Sequence, residues 1–273
     1  MTQEELLEGV VIPVDKPLQW TSFQVVNKVK TVVRNVFGIK KFKIGHAGTL
    51  DPLASGLLLI CVGKATKRIE ELQAGEKVYS GTMVLGATTP CYDLERAIDH
   101  FYPYAHITPE LVEKASRQFV GRIEQVPPIF SAVKIGGQRA YRYAREAAEG
   151  QEAPMPTSKE VYVSEFTITA FRQGTVVSDA AEMERMGVGE EEPKGVGNWQ
   201  LYKNPQGRVP EYLPQVDFRI RCGKGTYVRS IARDLGLALD SGAFLASLRR
   251  EQVGPYTIAD AVSVEGVADY LKH

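Results

Sequence analysis

Cysteine and histidine are scarce in this chain, and long apolar runs are missing altogether; each shortage closes a class of function. The three cysteines, Cys61, Cys91 and Cys222, are odd in number and scattered. They offer neither a disulfide framework nor the paired spacing of a zinc site, which fits a reducing cytoplasm. His46, His100, His106 and His273 show no ligand spacing either, so no metal centre is expected. No apolar stretch approaches the length that crosses a bilayer, and the N-terminus, MTQEE, is acidic and lacks the apolar core of a signal peptide. The expectation is a cytoplasmic protein without a membrane partner.

Net charge is absent as well, with 33 basic and 33 acidic residues. Taken alone, that balance argues against a nucleic-acid partner, but the distribution reverses the argument. Residues 16–50 contain no acid, while Lys16, Lys28, Lys30, Arg34, Lys40, Lys41 and Lys43 all fall there. Compensating carboxylates gather elsewhere, at Asp179, Glu182, Glu184, Glu190, Glu191 and Glu192. Zero net charge therefore hides a basic face and an acidic insert.

Several catalytic signatures are lacking too. Gly63-Lys64 and the stretch GKGT at 223–226 do not have the spacing of a phosphate loop. Ser55 lies between Ala54 and Gly56 rather than in a hydrolase elbow. A glycosidase of the usual kind needs two carboxylates across a sugar, and only one is strongly presented here.

That carboxylate is Asp51, within GHAGTLDPLASG at residues 45–56. Gly45, Gly48 and Gly56 permit backbone angles closed to other residues, and Pro52 restricts Asp51 toward extended geometry. The apolar run at 57–62 then suits a buried strand, so Asp51 is expected on a constrained loop at a sheet edge. A single carboxylate suffices for the N1–C1′ bond of uridine, because uracil leaves as an anion that hydrogen bonds stabilise.

The length of 273 residues allows one large domain or two small ones. A short strand is expected over 11–14, and Thr21, Ser22 and Gln24 resemble a capping box that opens a helix. That helix would carry Val25, Val26, Val29, Val32, Val33 and Val36 on one face, with its basic residues off the stripe. Residues 77–85 read as a strand with two alternating faces, and 109–120 as a helix ended by Gly121. Over 122–157 arginines alternate with Tyr141 and Tyr143, a mixture suited to gripping single-stranded nucleic acid and equally to helix packing. Residues 174–214 read as a surface insertion. Val216, Phe218, Ile220 and Cys222 alternate as a half-buried strand, followed by a helix with Arg229 in its first turn. The helix dipole disfavours a cation there, so Arg229 is expected to hold an anionic partner.

The stretch GHAGTLDPLASG resembles the signature of the TruB family of tRNA pseudouridine synthases. Supporting motifs follow in the same order: Asp15-Lys16-Pro17, Lys77-Val78-Tyr79, QVPPIFSAVK at 125–134, GKGTYVR at 223–229, and Leu248-Arg249-Arg250. The likeness covers about residues 10–172 and 216–255. It implies an α+β pseudouridine synthase fold, with a central mixed, mostly antiparallel sheet flanked by helices and an active-site cleft across the sheet. It implies one catalytic domain over 1–273, in which 122–157 forms an RNA-gripping thumb-like segment, and no C-terminal RNA-binding domain. The implied reaction is isomerisation of uridine 55 in the T-loop of tRNA, by base flipping and without cofactor or metal. In it Asp51 is the catalytic carboxylate, Arg229 its partner, and Tyr79 stacks on the uracil and serves as a base at the ribose. Tyr227 and Leu248 wall the pocket, His46 replaces stacking lost when nucleotides flip, and Lys16 and Pro17 brace the loop. The expected partner is the T-arm stem–loop of tRNA, bound by a monomer. Two rivals stand beside this reading: an RNA chaperone without chemistry, and an N-glycosidase that would release free uracil.

Overall fold

A computed structural model describes residues 1–131, 133–140, 143, 154, 156–174 and 212–272. The chain divides into two compact units, one of Met1–Ser80, Ile220–Lys224 and Leu248–His273, the other of Gly81–Arg219 and Gly225–Ser247.

The first unit begins with helix α1 (Gln3–Gly9), strand β1 (Val10–Lys16) and helix α2 (Ser22–Phe37). The capping box that opens α2 forms as expected: Thr21 accepts from the Gln24 amide while the Gln24 side chain reaches back to Thr21. Gly38 closes the helix in a left-handed conformation. Strand β2 (Ile44–His46), strand β3 (Ala54–Val62), a 3₁₀ turn over Gly63–Arg68 and helix α3 (Ile69–Ala74) follow.

Strand β3 is buried on both faces, which is why its apolar run does not alternate. Leu58, Ile60 and Val62 pack with Val25, Val26, Val29 and Val33 of α2. Leu57, Leu59 and Cys61 face Ala65, Leu72 and Val253 instead. The valine stripe read from the sequence is therefore the core face of α2, while Lys28, Arg34, Lys40, Lys41 and Lys43 are exposed.

Strand β4 (Lys77–Leu85) begins in the first unit and ends in the second. Its burial follows position rather than alternate faces: Lys77, Val78 and the 83–85 end are buried, and 79–82 are half-exposed. Both faces are buried at the ends of the strand and both are partly open at 79–82, so the two-residue pattern of a strand with one open face does not arise.

The second unit contains β5 (Ala87–Thr88), β6 (His100–Phe101), α4 (Pro109–Ser116), β7 (Gly121–Gln125), β8 (Lys134–Ile135), β9 (Gln138–Arg139) and β10 (Lys159–Arg172). Helix α4 stops earlier than its sequence suggests. Its last turn tightens into a 3₁₀ turn over Arg117–Phe119, and Val120 is already extended, leading into β7. Strand β11 (Gln215–Cys222) alternates buried and half-buried residues throughout, and helix α5 (Val228–Ala238) buries Val228, Ile231, Ala232 and Leu235. Phe166 and Phe218 meet edge to face at 6.1 Å in this core.

Strand β12 (Ala243–Val253) leads to β13 (Tyr256–Thr257), β14 (Val262–Ser263) and helix α6 (Val267–Lys272), whose Val267 and Leu271 join the core against α2. The strands are hydrogen-bonded in the order β14-β1-β3-β12-β4-β11-β10-β7, with β2 on β3 and β13 on β12. β1 is antiparallel to β3, whereas β12 is parallel to β3 and β14 parallel to β1, so the sheet is mixed. This is the α+β architecture expected.

Candidate active site

The loop that carries Asp51 is held on both sides of the carboxylate. Ser22, the first residue of α2, accepts from the Leu50 amide at 2.9 Å and donates to the Leu50 carbonyl at 3.2 Å. The Pro52 carbonyl accepts from the Gln19 amide at 2.8 Å and from Lys16 Nζ at 3.4 Å. Asp51's own carbonyl accepts from the Ala54 amide at 3.0 Å, closing the turn. Gln19 takes a left-handed conformation, φ 67°, to present its amide there. For a residue with a side chain that conformation is strained by about 1 kcal/mol, so the loop's geometry overrides local preference. A half-buried carboxylate is thus presented on an immobilised backbone.

Gly56 fixes the strand beneath. Its φ is +100°, and a Cβ there would lie 2.4 Å from the Arg250 carbonyl oxygen. The parallel register places Leu248 opposite Ala54 and Arg250 opposite Gly56. Arg250, 1% exposed, then donates from Nε to the Leu57 carbonyl at 2.7 Å and from a terminal nitrogen to the Gly48 carbonyl at 3.0 Å. One guanidinium therefore ties β12 to both ends of the Asp51 turn.

Lys16 is fully buried at the end of β1, where its ammonium donates to the carbonyls of Trp20 at 2.6 Å and Pro17 at 3.0 Å, as well as to Pro52. Burial brings its pKa down to about 8; the Asp51 charge opposes the shift and the Arg250 charge adds to it. Lys77, also buried, is brought down to about 8 by the same cause, with the Arg250 charge second. Burial raises the pKa of the half-buried Tyr79, against the charge and hydrogen bonding of Arg250. Tyr79 is therefore a neutral phenol at physiological pH. Burial, then Arg250, holds His46 below its ordinary value, and its Nδ1 is enclosed without a hydrogen-bond partner. The first unit thus gathers Asp51, Lys16, Tyr79, His46 and Leu248 about one loop, together with Arg250, which sequence reasoning quoted only as part of a motif.

Tyr227 and Arg229 belong to the second unit. Tyr227 precedes α5 without capping it through its side chain. Gln125 of β7 supplies the missing acceptor, taking the Tyr227 amide at 2.7 Å and donating to the Tyr227 carbonyl at 3.2 Å. Arg229, 4% exposed, donates to the carbonyls of Cys91 at 3.1 Å and Phe130 at 2.9 Å, and its Nε lies 3.6 Å from the Asp93 carboxylate. Within its own unit Arg229 thus has an anion beside it in Asp93, a residue the sequence reading did not name. Asp93 is also locked in place, accepting from the Glu95 amide at 2.9 Å through its side chain and from Thr89 at 2.7 Å through its carbonyl.

Of the thumb-like segment, β8 and β9 form a hairpin, and the Tyr143 hydroxyl donates to the Ile135 carbonyl at 3.3 Å. Tyr141, Arg142 and Arg145 lie outside the described residues, as does the acidic insertion apart from residues 174 and 212–214. Among the described residues there is no cluster able to hold a metal ion and no helix long and apolar enough to cross a membrane. All three cysteines are buried and none is in a disulfide among the described residues; burial raises the Cys61 thiol to about 11.

The fold is shared with solved structures. A Cbf5–Nop10–Gar1 complex matches with a TM-score of 0.61 and 24% identity over 98% of this chain and 56% of the solved one. An H/ACA RNP bound to a substrate RNA containing 2′-deoxyuridine matches at 0.57, with 21% identity over 98% and 55%. This chain thus spans little more than half of those chains. The mixed sheet flanked by helices is thus the fold of those chains. Sequence comparison goes further. Residues 34–185 match the model for the N-terminal domain of the TruB family of pseudouridylate synthases, and residues 229–273 that for the C-terminal domain of tRNA pseudouridylate synthase B. The tRNA pseudouridine synthase B of Flavobacterium johnsoniae is 45% identical over 97% of this chain and 96% of its own length. That of Phocaeicola vulgatus is 45% identical over 97% and 94%. The chain belongs to the TruB family.

Proposed function

We propose that this protein isomerises uridine 55 in the T-loop of tRNA to pseudouridine, with Asp51 as the catalytic carboxylate. The observation that carries the assignment is the immobilised Asp51 turn, anchored at Leu50, Asp51 and Pro52 and set among Lys16, Arg250 and Tyr79. A carboxylate that attacks one carbon of a flipped nucleotide gains from such fixity, because misplacement by about 1 Å costs roughly 100-fold in rate. A binding surface without chemistry needs no such anchoring.

In the reaction N1–C1′ breaks and its electron pair leaves with the uracil. The ring turns, C5 bonds to C1′, the C5 proton departs and N1 takes up a proton. Every atom of the nucleotide except that proton is conserved, so no oxidant or acyl donor is required. Asp51 serves either by adding to C1′ or by promoting a glycal-like intermediate, and both routes need the same fixed carboxylate.

Tyr79 stacks on the uracil, a role that suits a neutral phenol. Arg229 is assigned to the catalytic set with Asp51 and Tyr79, and within its own unit its orientation is set by Cys91, Phe130 and Asp93. Tyr227 and Leu248 wall the base, and His46 takes the place of stacking lost on flipping. Lys16 braces the loop through the Pro52 carbonyl.

The test is incubation with a T-arm stem–loop tritiated at C5 of the target uridine. Tritium release without free uracil is expected. Release of uracil would make the protein an N-glycosidase, and no release from this RNA or from whole tRNA would refute the assignment.

A further inference from the structure

Helix α2 buries its valines and carries a polar arc beside them, on which Phe23, Asn27 and Arg34 are exposed and Lys30 is half-buried. Phe23, Asn27, Lys30 and Arg34 are spaced three or four residues apart, so they form one line along that arc. The line runs about 16 Å at 1.5 Å per residue. Phe23 is 68% exposed, an unusual placement for a phenylalanine. Arg34 continues the line by donating to the Lys40 carbonyl at 3.5 Å, beyond which Lys41 and Lys43 are also exposed.

Two features distinguish this stripe from an ordinary solvated face. Helix α2 has no acidic residue, and among the described residues Lys28, Lys30, Arg34, Lys40, Lys41 and Lys43 form no ion pair. In the same unit Lys64, Arg68, Arg221, Arg249 and Lys272 each hold a carboxylate, to Glu8, Glu71, Glu76, Asp15 and Asp269. Lys67 and Lys224 of the same unit also hold no carboxylate among the described residues, but the longest run of such cations lies on α2 and the segment just after it. Helix α2 also reaches the catalytic loop: Ser22, next to Phe23, is bonded in both directions to Leu50, next to Asp51.

We propose that α2 is a rail for the substrate RNA, on which Lys30, Arg34 and the lysines beyond Gly38 take backbone phosphates. Phe23, at the catalytic end, stacks on an unpaired base beside the target uridine. The inference rests on RNA being the substrate. A row of cations without carboxylates fits a polyanion, and an exposed aromatic ring at its end fits an unpaired base rather than a duplex. The rail would deliver the strand to Asp51 in one direction, because only one end carries the ring.

The test measures equilibrium binding of a T-arm stem–loop at several salt concentrations, with pseudouridine formation by the unaltered protein measured separately. The double variant Lys30→Gln/Arg34→Gln should flatten the slope of log affinity against log salt by roughly 1.4, about 0.7 for each lost phosphate contact. Phe23→Ala should weaken binding about tenfold and leave the slope unchanged. Lys64→Gln, which removes a paired cation, should change neither. All four positions are exposed or half-exposed, and thermal unfolding verifies that each variant is folded. An unchanged slope in the double variant, or Phe23→Ala binding within about twofold of the unaltered protein, would overturn the rail. The two readings fail separately. If the unaltered protein forms pseudouridine while the variants bind as it does, the rail falls and the activity stands. If the variants shift binding as described and no pseudouridine forms, the activity falls and the rail stands.

Discussion

Replacing Arg250 by methionine tests the site at the point where most of it converges. The substitution keeps an unbranched side chain of similar length and removes every donor. The carbonyls of Leu57 and Gly48 lose bonds of 2.7 and 3.0 Å, and Tyr79 loses a donor. An acceptor left unpaired in the interior costs about 1–3 kcal/mol, so the two carbonyls together cost about 2–6 kcal/mol. Relief of the buried cation's desolvation offsets part of this, leaving an expected loss near 3 kcal/mol in urea unfolding. Release of the Gly48 end of the Asp51 turn should lower single-turnover pseudouridine formation about 100-fold. A third readout separates electrostatics from packing. Arg250 is the second cause, after burial, of the low pKa of His46, so the imidazole should titrate higher by NMR in the variant. Arg250→Lys, which keeps the charge, should leave His46 close to its original value. If Arg250→Met unfolds within about 1 kcal/mol of the unaltered protein and turns over RNA within about threefold, the account of the site is wrong.

Other outcomes follow from the same geometry. Asp51→Asn should abolish turnover while T-arm binding stays within a few fold, and substantial residual activity would remove Asp51 from its role. Lys16 has a folded pKa of about 8 against about 10.4 when unfolded, so the unfolded state binds more protons between those values. Its contribution to stability therefore rises with pH across that window, and the destabilisation by Lys16→Met should grow by about 2–3 kcal/mol between pH 7 and pH 10.5; a constant difference would refute this. Gly56→Ala, with its Cβ 2.4 Å from the Arg250 carbonyl, should destabilise by about 3 kcal/mol or more and slow turnover in parallel, as followed by urea unfolding and tritium release. Asp93→Asn keeps the size of the side chain and removes the charge 3.6 Å from Arg229. Single-turnover rate should fall at least tenfold with binding little changed, because the guanidinium loses its fixed orientation.

What lay open in the sequence was local in origin. A capping box needs residues three apart, so the start of α2 could be read from Thr21 and Gln24. A strand with one open face advertises itself by alternation, as β11 does. Glycines around an Asp-Pro pair announce a constrained turn, and the TruB motifs in order attached a reaction to it. The deviations are equally physical. Strand β4 is buried at its ends and half-exposed on both faces at 79–82 in place of alternating, and the last turn of α4 tightened where an extended valine had to follow.

The amino-acid sequence by itself determined that Asp51 would sit on a rigid turn, that α2 would present a basic face, and which family the chain joins. Tertiary structure alone decided what holds those groups. Arg250 lies about 200 positions from the Gly48 carbonyl it grips, and Arg229 lies on α5, far along the chain from Asp93. Neither pairing leaves a local trace, because hydrogen bonds and charges act through space and register is set by sheet pairing. The family resemblance led to the expectation that Lys16 braces the loop, but the burial of its ammonium against three backbone carbonyls is a tertiary fact. Burial is a property of the whole packed chain, and it turned Lys16 and Arg250 into the frame of the Asp51 loop.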